Sequence, residues 1–168
     1  MSLYDEISDL QIFNNCSKKE KKLLASLNYS IKKFKKGQLI IKQGSTYKSI
    51  YPVFLIIKGT VLIKKNGFRS PLAAISSGEL FGELSFLSKR PRTTNVVAKE
   101  DVTVMKMDPD FFKSVTPQIN DKIKNYIIET LIRRITRMNV SYSKLSKWSR
   151  SLCIKTGNDN LWTKWNQQ

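Results

Sequence analysis

Residues 81–96 read FGELSFLSKRPRTTNV. A short helical turn that begins after Gly82 would leave backbone N–H groups unpaired at its start, and such groups bind anions. Arg92 adds a planar fork of donors that fits the geometry of a phosphate. Glu83 can accept hydrogen bonds from sugar hydroxyls. A phosphate receptor and a hydroxyl receptor so close in the sequence indicate a ribose phosphate as the ligand.

The composition is strongly basic, with a formal net charge of +17 over 168 residues. This length suffices for one domain with a core and a helical appendage. One interpretation of the charge is a surface for nucleic acid, anionic lipid or another polyanion. The other is a compositional bias, which we favour because the lysines are scattered and few basic runs alternate with aromatic residues.

Several classes of site are disfavoured by the residues that are missing. The chain has no histidine, which excludes His-based acid–base catalysis and most zinc sites. Cys16 and Cys153 are far apart, so neither a metal motif nor a disulfide framework is visible. We therefore expect no enzyme, no catalytic residue, no metal and no cofactor.

The most apolar run, Val53–Ile57, is too short to span a bilayer, and the N-terminus lacks a signal peptide. The cytoplasm is the expected location.

The first hundred residues predict a mainly β fold with flanking helices. Helical spacing over residues 3–14 and a capping box formed by Ser17 and Glu20 predict two N-terminal helices. Between Ile31 and Met107, short apolar runs alternate with glycine turns, and Asn66-Gly67 is a typical hairpin turn. This pattern predicts an eight-stranded antiparallel β-barrel of the jelly-roll type, followed by a long C-terminal helix.

The C-terminal part predicts two helices, which begin at Asp108-Pro109 and Thr116-Pro117. The second helix carries an apolar seam with 3-4 spacing: Ile128, Leu131, Ile135, Met138, Tyr142 and Leu145. A second stripe covers only its first half: Ile119, Ile123, Ile127 and Ile132. The seam could bind the chain's own barrel, but it is longer than one side of a small barrel. We therefore favour a homodimer through the 117–148 helix.

These observations divide the chain into N-terminal helices (1–30), a β-barrel (31–107), C-terminal helices (108–150) and a tail (151–168). The tail carries Trp162 and Trp165, through which it could dock.

Taken together, residues 10–148 resemble the cyclic nucleotide-binding domain found in catabolite-activator-type regulators, kinase regulatory subunits and cyclic-nucleotide-gated channels. The most specific part is Phe81-Gly82-Glu83-Leu84 with Pro91-Arg92-Thr93, which is similar to the phosphate-binding cassette of that family. We call residues 81–96 the cassette. The chain departs from the family pattern at Ser45 and Ser85, and between Gly44 and Gly59 it is longer and carries Pro52. The C-terminal helix-turn-helix domain of the transcription regulators is not expected, because few residues follow 148.

The resemblance implies roles for individual residues of the cassette. Glu83 would accept a hydrogen bond from the ribose 2′-hydroxyl, and Arg92 would pair with the exocyclic phosphate oxygens. Backbone N–H groups around Gly82, Leu84 and Ser85 would complete the anion site. Two hydroxyl-bearing residues that follow the arginine also belong to the predicted site: Thr93 could reach the phosphate or a guanine amino group, and Thr94 could face the base or be a strand residue.

The resemblance implies a regulatory module that binds cAMP or cGMP and signals to a protein effector through its C-terminal helix. Whether the base is adenine or guanine stays open, and a cyclic dinucleotide is a further alternative. The competing interpretation is a basic protein that binds nucleic acid or membrane, with a degenerate, ligand-free fold in which Glu83 and Arg92 form only a salt bridge. Nucleic acid is the disfavoured partner.

Overall fold

The computed structural model describes residues 2–27, 30–46 and 51–155. The chain divides into two compact units, with the boundary after Ile127. Trp162 and Trp165, through which the tail could dock, lie outside the described residues.

The first unit begins with the predicted N-terminal helices, which are α1 (Leu3–Ser8), a short 3-10 helix (Gln11–Phe13) and α2 (Lys18–Ser26). The predicted capping box of α2 is confirmed. The Glu20 backbone N–H donates to Ser17 Oγ at 3.3 Å, and the Ser17 N–H donates to the Glu20 carboxylate at 2.6 Å. These two bonds satisfy donors that the first turn of a helix leaves open.

Eight strands follow in the part of the chain that the structure describes, as the sequence predicts. Their bounds are β1 Ile31–Phe34, β2 Leu39–Ile41, β3 Val53–Lys58, β4 Thr60–Lys64, β5 Ala73–Ser76, β6 Leu80–Phe81, β7 Asn95–Ala98 and β8 Val102–Met107. All the pairings are antiparallel. One sheet has the order β1-β8-β3-β6, and the other has the order β2-β7-β4-β5.

The prediction of a closed barrel is wrong, because the strands form two separate four-stranded sheets. The chain passes back and forth between the two sheets, and two of the short connections that do this are Gly59 between β3 and β4 and residues 99–101 between β7 and β8. The edge strand β6 has only two residues before the backbone leaves the sheet, so it offers little length for a further ladder. Apolar runs reveal that strands exist, but they do not reveal which strands become partners.

The connection at Gly59 requires glycine for two reasons. Its φ is +92°, a conformation that L side chains rarely adopt, and a Cβ there would lie 2.6 Å from the Asp101 carbonyl oxygen. These two connections therefore lie against each other, with the Asp101 backbone close to Gly59.

The core of the first unit includes a cluster of buried apolar side chains from both sheets, and Phe54 and Phe81 are members of this cluster. Their rings stack with centroids 5.0 Å apart and an interplanar angle of 9°. Because Phe81 immediately precedes Gly82, this aromatic pair fixes the point at which the chain leaves the sheet. The core thereby anchors the start of the cassette.

Three helices complete the described chain: α3 (Glu83–Ser88), α4 (Pro109–Ser114) and α5 (Pro117–Lys155). The predicted helix starts at Asp108-Pro109 and Thr116-Pro117 are confirmed. The Phe111 N–H donates to Asp108 Oδ1 at 3.1 Å and so caps α4. Within the first unit, Ile119, Ile123 and Ile127 are buried and hold the beginning of α5.

The second unit begins at Ile128 and contains the rest of α5. Most of the predicted seam is exposed to solvent on this helix, from 51% at Ile128 to 69% at Met138. Ile132 is 58% exposed, unlike the other three members of the second stripe, which are buried. The buried part of that stripe ends at Ile127, where the first unit ends.

Candidate ligand-binding site

The cassette starts where β6 ends, and its first turn is shaped by Gly82. This residue is the N-cap of α3 with φ +82°, and no side chain among the described residues caps the helix. The N–H groups of Leu84 and Ser85 lie in the first turn of α3, where a helix offers no intrahelical acceptor. A Cβ at Gly82 would lie 2.7 Å from Arg92 Nη1 and 3.2 Å from the Pro52 carbonyl oxygen. Glycine is thus required both for the turn and for the approach of Arg92.

Arg92 is held at both its side chain and its backbone. The side chain is only 3% exposed, with Nη1 donating to the Gly82 carbonyl and Nη2 to the Pro52 carbonyl, each at 2.7 Å. Its own N–H donates to the Ser45 carbonyl at 3.1 Å, and its carbonyl accepts from the Gly44 N–H at 2.8 Å. These four bonds fix the guanidinium beside the start of α3.

Two further predicted residues point inward from the first turn of α3. Glu83 is 4% exposed and Ser85 is 3% exposed, whereas Leu84 between them is 52% exposed. Ser85 Oγ donates to the Pro91 carbonyl at 3.4 Å, which links α3 to the loop before Arg92. A nearly buried carboxylate is rare without a polar partner, so Glu83 belongs to a polar site rather than to the apolar core.

The two predicted threonines are less enclosed. Thr93 is exposed and Thr94 is half-buried, and both precede β7. Their roles as ligand contacts stay predictions, as does the backbone contact at Leu84.

Two residues that contact Arg92 are not among the predicted site residues. The Tyr51 ring lies 5.5 Å from Arg92 Cζ, and Tyr51 is 5% exposed. Pro52 supplies the carbonyl acceptor described above. In the sequence, this segment stands out only by its extra length and by the proline between Gly44 and Gly59. These features put the strand register in doubt, but they do not reveal the contact with Arg92, forty residues further along the chain.

Residues 31–118 match the family model of the cyclic nucleotide-binding domain, just over half of the chain. The chain belongs to this family. The resemblance stated from the sequence is thereby confirmed, and the matched range contains the entire cassette.

The relatives of this cyclic nucleotide-binding domain include regulators of two kinds. The cAMP-dependent protein kinase regulatory subunit of Aspergillus niger is 35% identical over 89 residues, which is 53% of this chain and 21% of that protein. The CRP-like cAMP-activated global transcriptional regulator of Mycobacterium tuberculosis is 27% identical over 115 residues, which is 67% of this chain and 50% of that protein. The chain thus spans about a fifth of the kinase subunit and half of the transcriptional regulator.

The fold is also that of solved structures. A cyclic nucleotide-binding domain from Methylobacillus flagellatus superimposes with a TM-score of 0.66 at 20% identity, covering 80% of this chain and 79% of the other. At this level of identity the likeness concerns the fold alone.

In this cyclic nucleotide-binding domain, the cassette is connected to the later helices through aromatic contacts. The Phe86 ring of α3 stacks on Phe112 of α4 at a centroid distance of 5.4 Å. The Asn120 amide of α5 donates to the Phe112 carbonyl at 3.0 Å. A displacement of α3 would therefore act directly on α4 and on the start of α5.

Asp108, the N-cap of α4, is held in its ionised form by its hydrogen-bond donors. Burial would raise the pKa of Asp108, but hydrogen bonds from Lys106 Nζ, at 2.9 Å, and from the Phe111 N–H outweigh it and hold that pKa below its ordinary value. The cap therefore stays ionised, which favours the start of a helix.

The described part of the chain contains neither a metal-binding cluster nor a membrane-spanning helix. Within residues 2–27, 30–46 and 51–155, no group of three or more His, Cys, Asp or Glu side chains could hold a metal ion. No helix in that part of the chain is long and apolar enough to cross a membrane.

Proposed function

We propose that this chain is a regulatory module that binds cAMP or cGMP in the cassette and does not turn it over. Glu83 would accept from the ribose 2′-hydroxyl, and Arg92 would donate to the phosphate. The backbone of Gly82, Leu84 and Ser85 would complete the anion site, and Thr93 and Thr94 would lie beside the ligand. The relatives named for cAMP support this nucleotide, while the exposed Thr93 leaves room for contact with guanine.

One observation carries the proposal. Arg92 and Glu83 are both nearly buried, at 3% and 4% exposure, and both lie at the same left-handed glycine turn. A buried guanidinium with fixed geometry is a receptor for a planar or tetrahedral oxyanion. A buried carboxylate beside it is an acceptor for hydroxyls. Arg92 and Glu83 together suit a ligand that carries a phosphate and a sugar hydroxyl within one compact ring system.

The first test is a calorimetric titration with cAMP and cGMP, for which we expect micromolar or tighter binding. Arg92→Lys keeps the charge but loses the planar fork, so the binding free energy should weaken by about 1.5–3 kcal/mol, a factor of about 10 to 150 in affinity. The matched control is Arg90→Lys in the exposed loop of the same cassette, which should bind like the wild type.

Two outcomes would contradict the proposal. One is the absence of both heat and thermal shift with either nucleotide at millimolar concentration. The other is equal affinity in Arg92→Lys and in the wild type. The competing interpretation, a basic protein with a ligand-free fold, predicts the first of these together with DNA binding whose affinity falls steeply with salt.

The output of binding is proposed to be movement of the C-terminal helix. Support comes from the contacts that run from Phe86 of α3 to Phe112 of α4 and on to Asn120 of α5. A ligand that stabilises one position of α3 would shift the population of helix positions in the same direction. A protein effector that binds the helix in one of these positions would complete the signal.

The seam of α5 is proposed to form a homodimer. Ile128, Ile135, Met138, Tyr142 and Leu145 are each more than half exposed and share one face at coiled-coil spacing. Burial of such a face against a second copy removes a large apolar area from water.

The remaining parts of the proposal concern organisation and location. The boundaries near residues 30, 107 and 150 stay predictions from the sequence, and the cytoplasm is proposed as the location.

A further inference from the structure

The segment before β3 places two consecutive residues against the guanidinium of Arg92. Tyr51 contributes its ring, whose centroid is 5.5 Å from Cζ, and Pro52 contributes its carbonyl oxygen, 2.7 Å from Nη2. Both residues are buried. A proline restricts the residue before it to an extended backbone. Pro52 therefore restricts the backbone conformation from which Tyr51 presents its ring.

Three groups constrain the guanidinium: the Tyr51 ring and the carbonyls of Gly82 and Pro52. The carbonyls of Gly82 and Pro52 each accept from one terminal nitrogen, which sets the positions of both nitrogens. A nearby aromatic ring attracts the cation and limits its swing away from these acceptors. Because the site is buried, this attraction is weakly screened by water.

We infer that Tyr51 is a positioning residue for the phosphate-binding arginine. It acts through Arg92, holding the guanidinium where two of its N–H groups meet carbonyls and the fork faces the start of α3. This inference rests on the proposed function. It assigns a role to a segment in which the chain departs in length from its family.

The binding test compares two substitutions at position 51. Tyr51→Phe keeps the ring and should change the affinity for cAMP or cGMP less than about twofold, whereas Tyr51→Leu keeps the apolar bulk, loses the ring, and should weaken binding by about five- to thirtyfold. In the Arg92→Lys background the same Tyr51→Leu change should cost much less, because the group that it positions is gone. Equal effects in both backgrounds would indicate general structural damage and overturn the inference.

A second measurement needs no ligand. NMR follows the exchange of the Arg92 Nε–H with water, and the signal is assigned by its loss in Arg92→Lys. Exchange should be slow in the wild type and in Tyr51→Phe, and about fivefold or more faster in Tyr51→Leu, since a less constrained side chain opens more often. If Tyr51→Leu does not fold, Tyr51→Met takes its place.

The two measurements separate this inference from the proposed function. A wild-type protein that binds no cyclic nucleotide contradicts the proposed function, and the exchange rates still decide the role of Tyr51. Unchanged Arg92 exchange in the variants that lack the ring would overturn the inference even if the nucleotide binds tightly.

Discussion

Gly82 allows both the backbone turn of the cassette and the close approach of the Arg92 side chain to that turn. Its φ of +82° makes the turn from β6 into α3, and the space that a Cβ would occupy lies 2.7 Å from Arg92 Nη1. The hydrogen bond from that nitrogen to the Gly82 carbonyl therefore depends on the absence of a side chain.

Gly82→Ala should lower both stability and ligand affinity. The left-handed backbone costs an L residue about 1–2 kcal/mol, and the displaced guanidinium adds to that cost. The matched control is Gly67→Ala, because Gly67 has φ +86° but nothing within 4 Å of its added Cβ. Urea unfolding should show the larger loss for Gly82→Ala, and calorimetry should show lost nucleotide binding only there. Equal losses of stability with unchanged binding would refute the role assigned to Gly82.

At the scale of elements, α2 is joined to the beginning of α5 by one ion pair. Lys122 Nζ lies 3.0 Å from Glu20 Oε1, and both side chains are largely enclosed. The hydrogen bond from the Ser17 backbone N–H, followed by that from Lys122, holds the pKa of Glu20 below its ordinary value of 4.5. The resulting stabilisation is present above the ordinary pKa and is lost as the pH falls through the lowered pKa.

Glu20→Gln separates the ion pair from the capping box, because glutamine can still accept from the Ser17 N–H. The free energy of unfolding should fall by about 0.5–1 kcal/mol at neutral pH, and the two proteins should converge in acid, once Glu20 is protonated. Asp110→Asn is the control, since its pair with Lys113 is exposed and should contribute little. A difference that persists at low pH would assign the effect to the cap rather than to the charge.

The seam of α5 allows an equally direct test of assembly. Ile135→Asp places a charge in the seam and should convert a dimer to a monomer in light scattering. Thr136→Asp adds the same charge at the neighbouring exposed position, one step round the helix, and should leave the dimer intact. A monomeric wild type, or the same mass for both variants, would contradict the proposed dimer.

At the scale of the whole molecule, the proposed signal is movement of the C-terminal helix when the nucleotide binds. Spin labels at Lys32→Cys in β1 and Ser141→Cys in α5 would report it, with Cys16 and Cys153 replaced by serine. The distance distribution should shift when the nucleotide binds. A control pair at Lys32 and Lys99, both in the first unit, should not shift. An unchanged Lys32–Ser141 distribution at saturating ligand would contradict helix movement.

How much the sequence predicts depends on how local each feature is. The capping box of α2 and the helix starts at two prolines follow from short-range patterns and are found in the structure. The division into two sheets and the contact of Tyr51 with Arg92 depend on partners far along the chain. Local periodicity carries no information about such partners, because any apolar strand can pair with any other.

The place of β8 in its sheet has a consequence for synthesis. This strand, Val102–Met107, lies between β1 and β3 and supplies a ladder to each. While the ribosome is still making residues before 102, β1 and β3 have no shared neighbour, and the backbone N–H and C=O groups that pair with β8 have no ladder partner. The sheet closes only when a late segment inserts between two early ones, so most of this fold must form after its strands have left the exit tunnel.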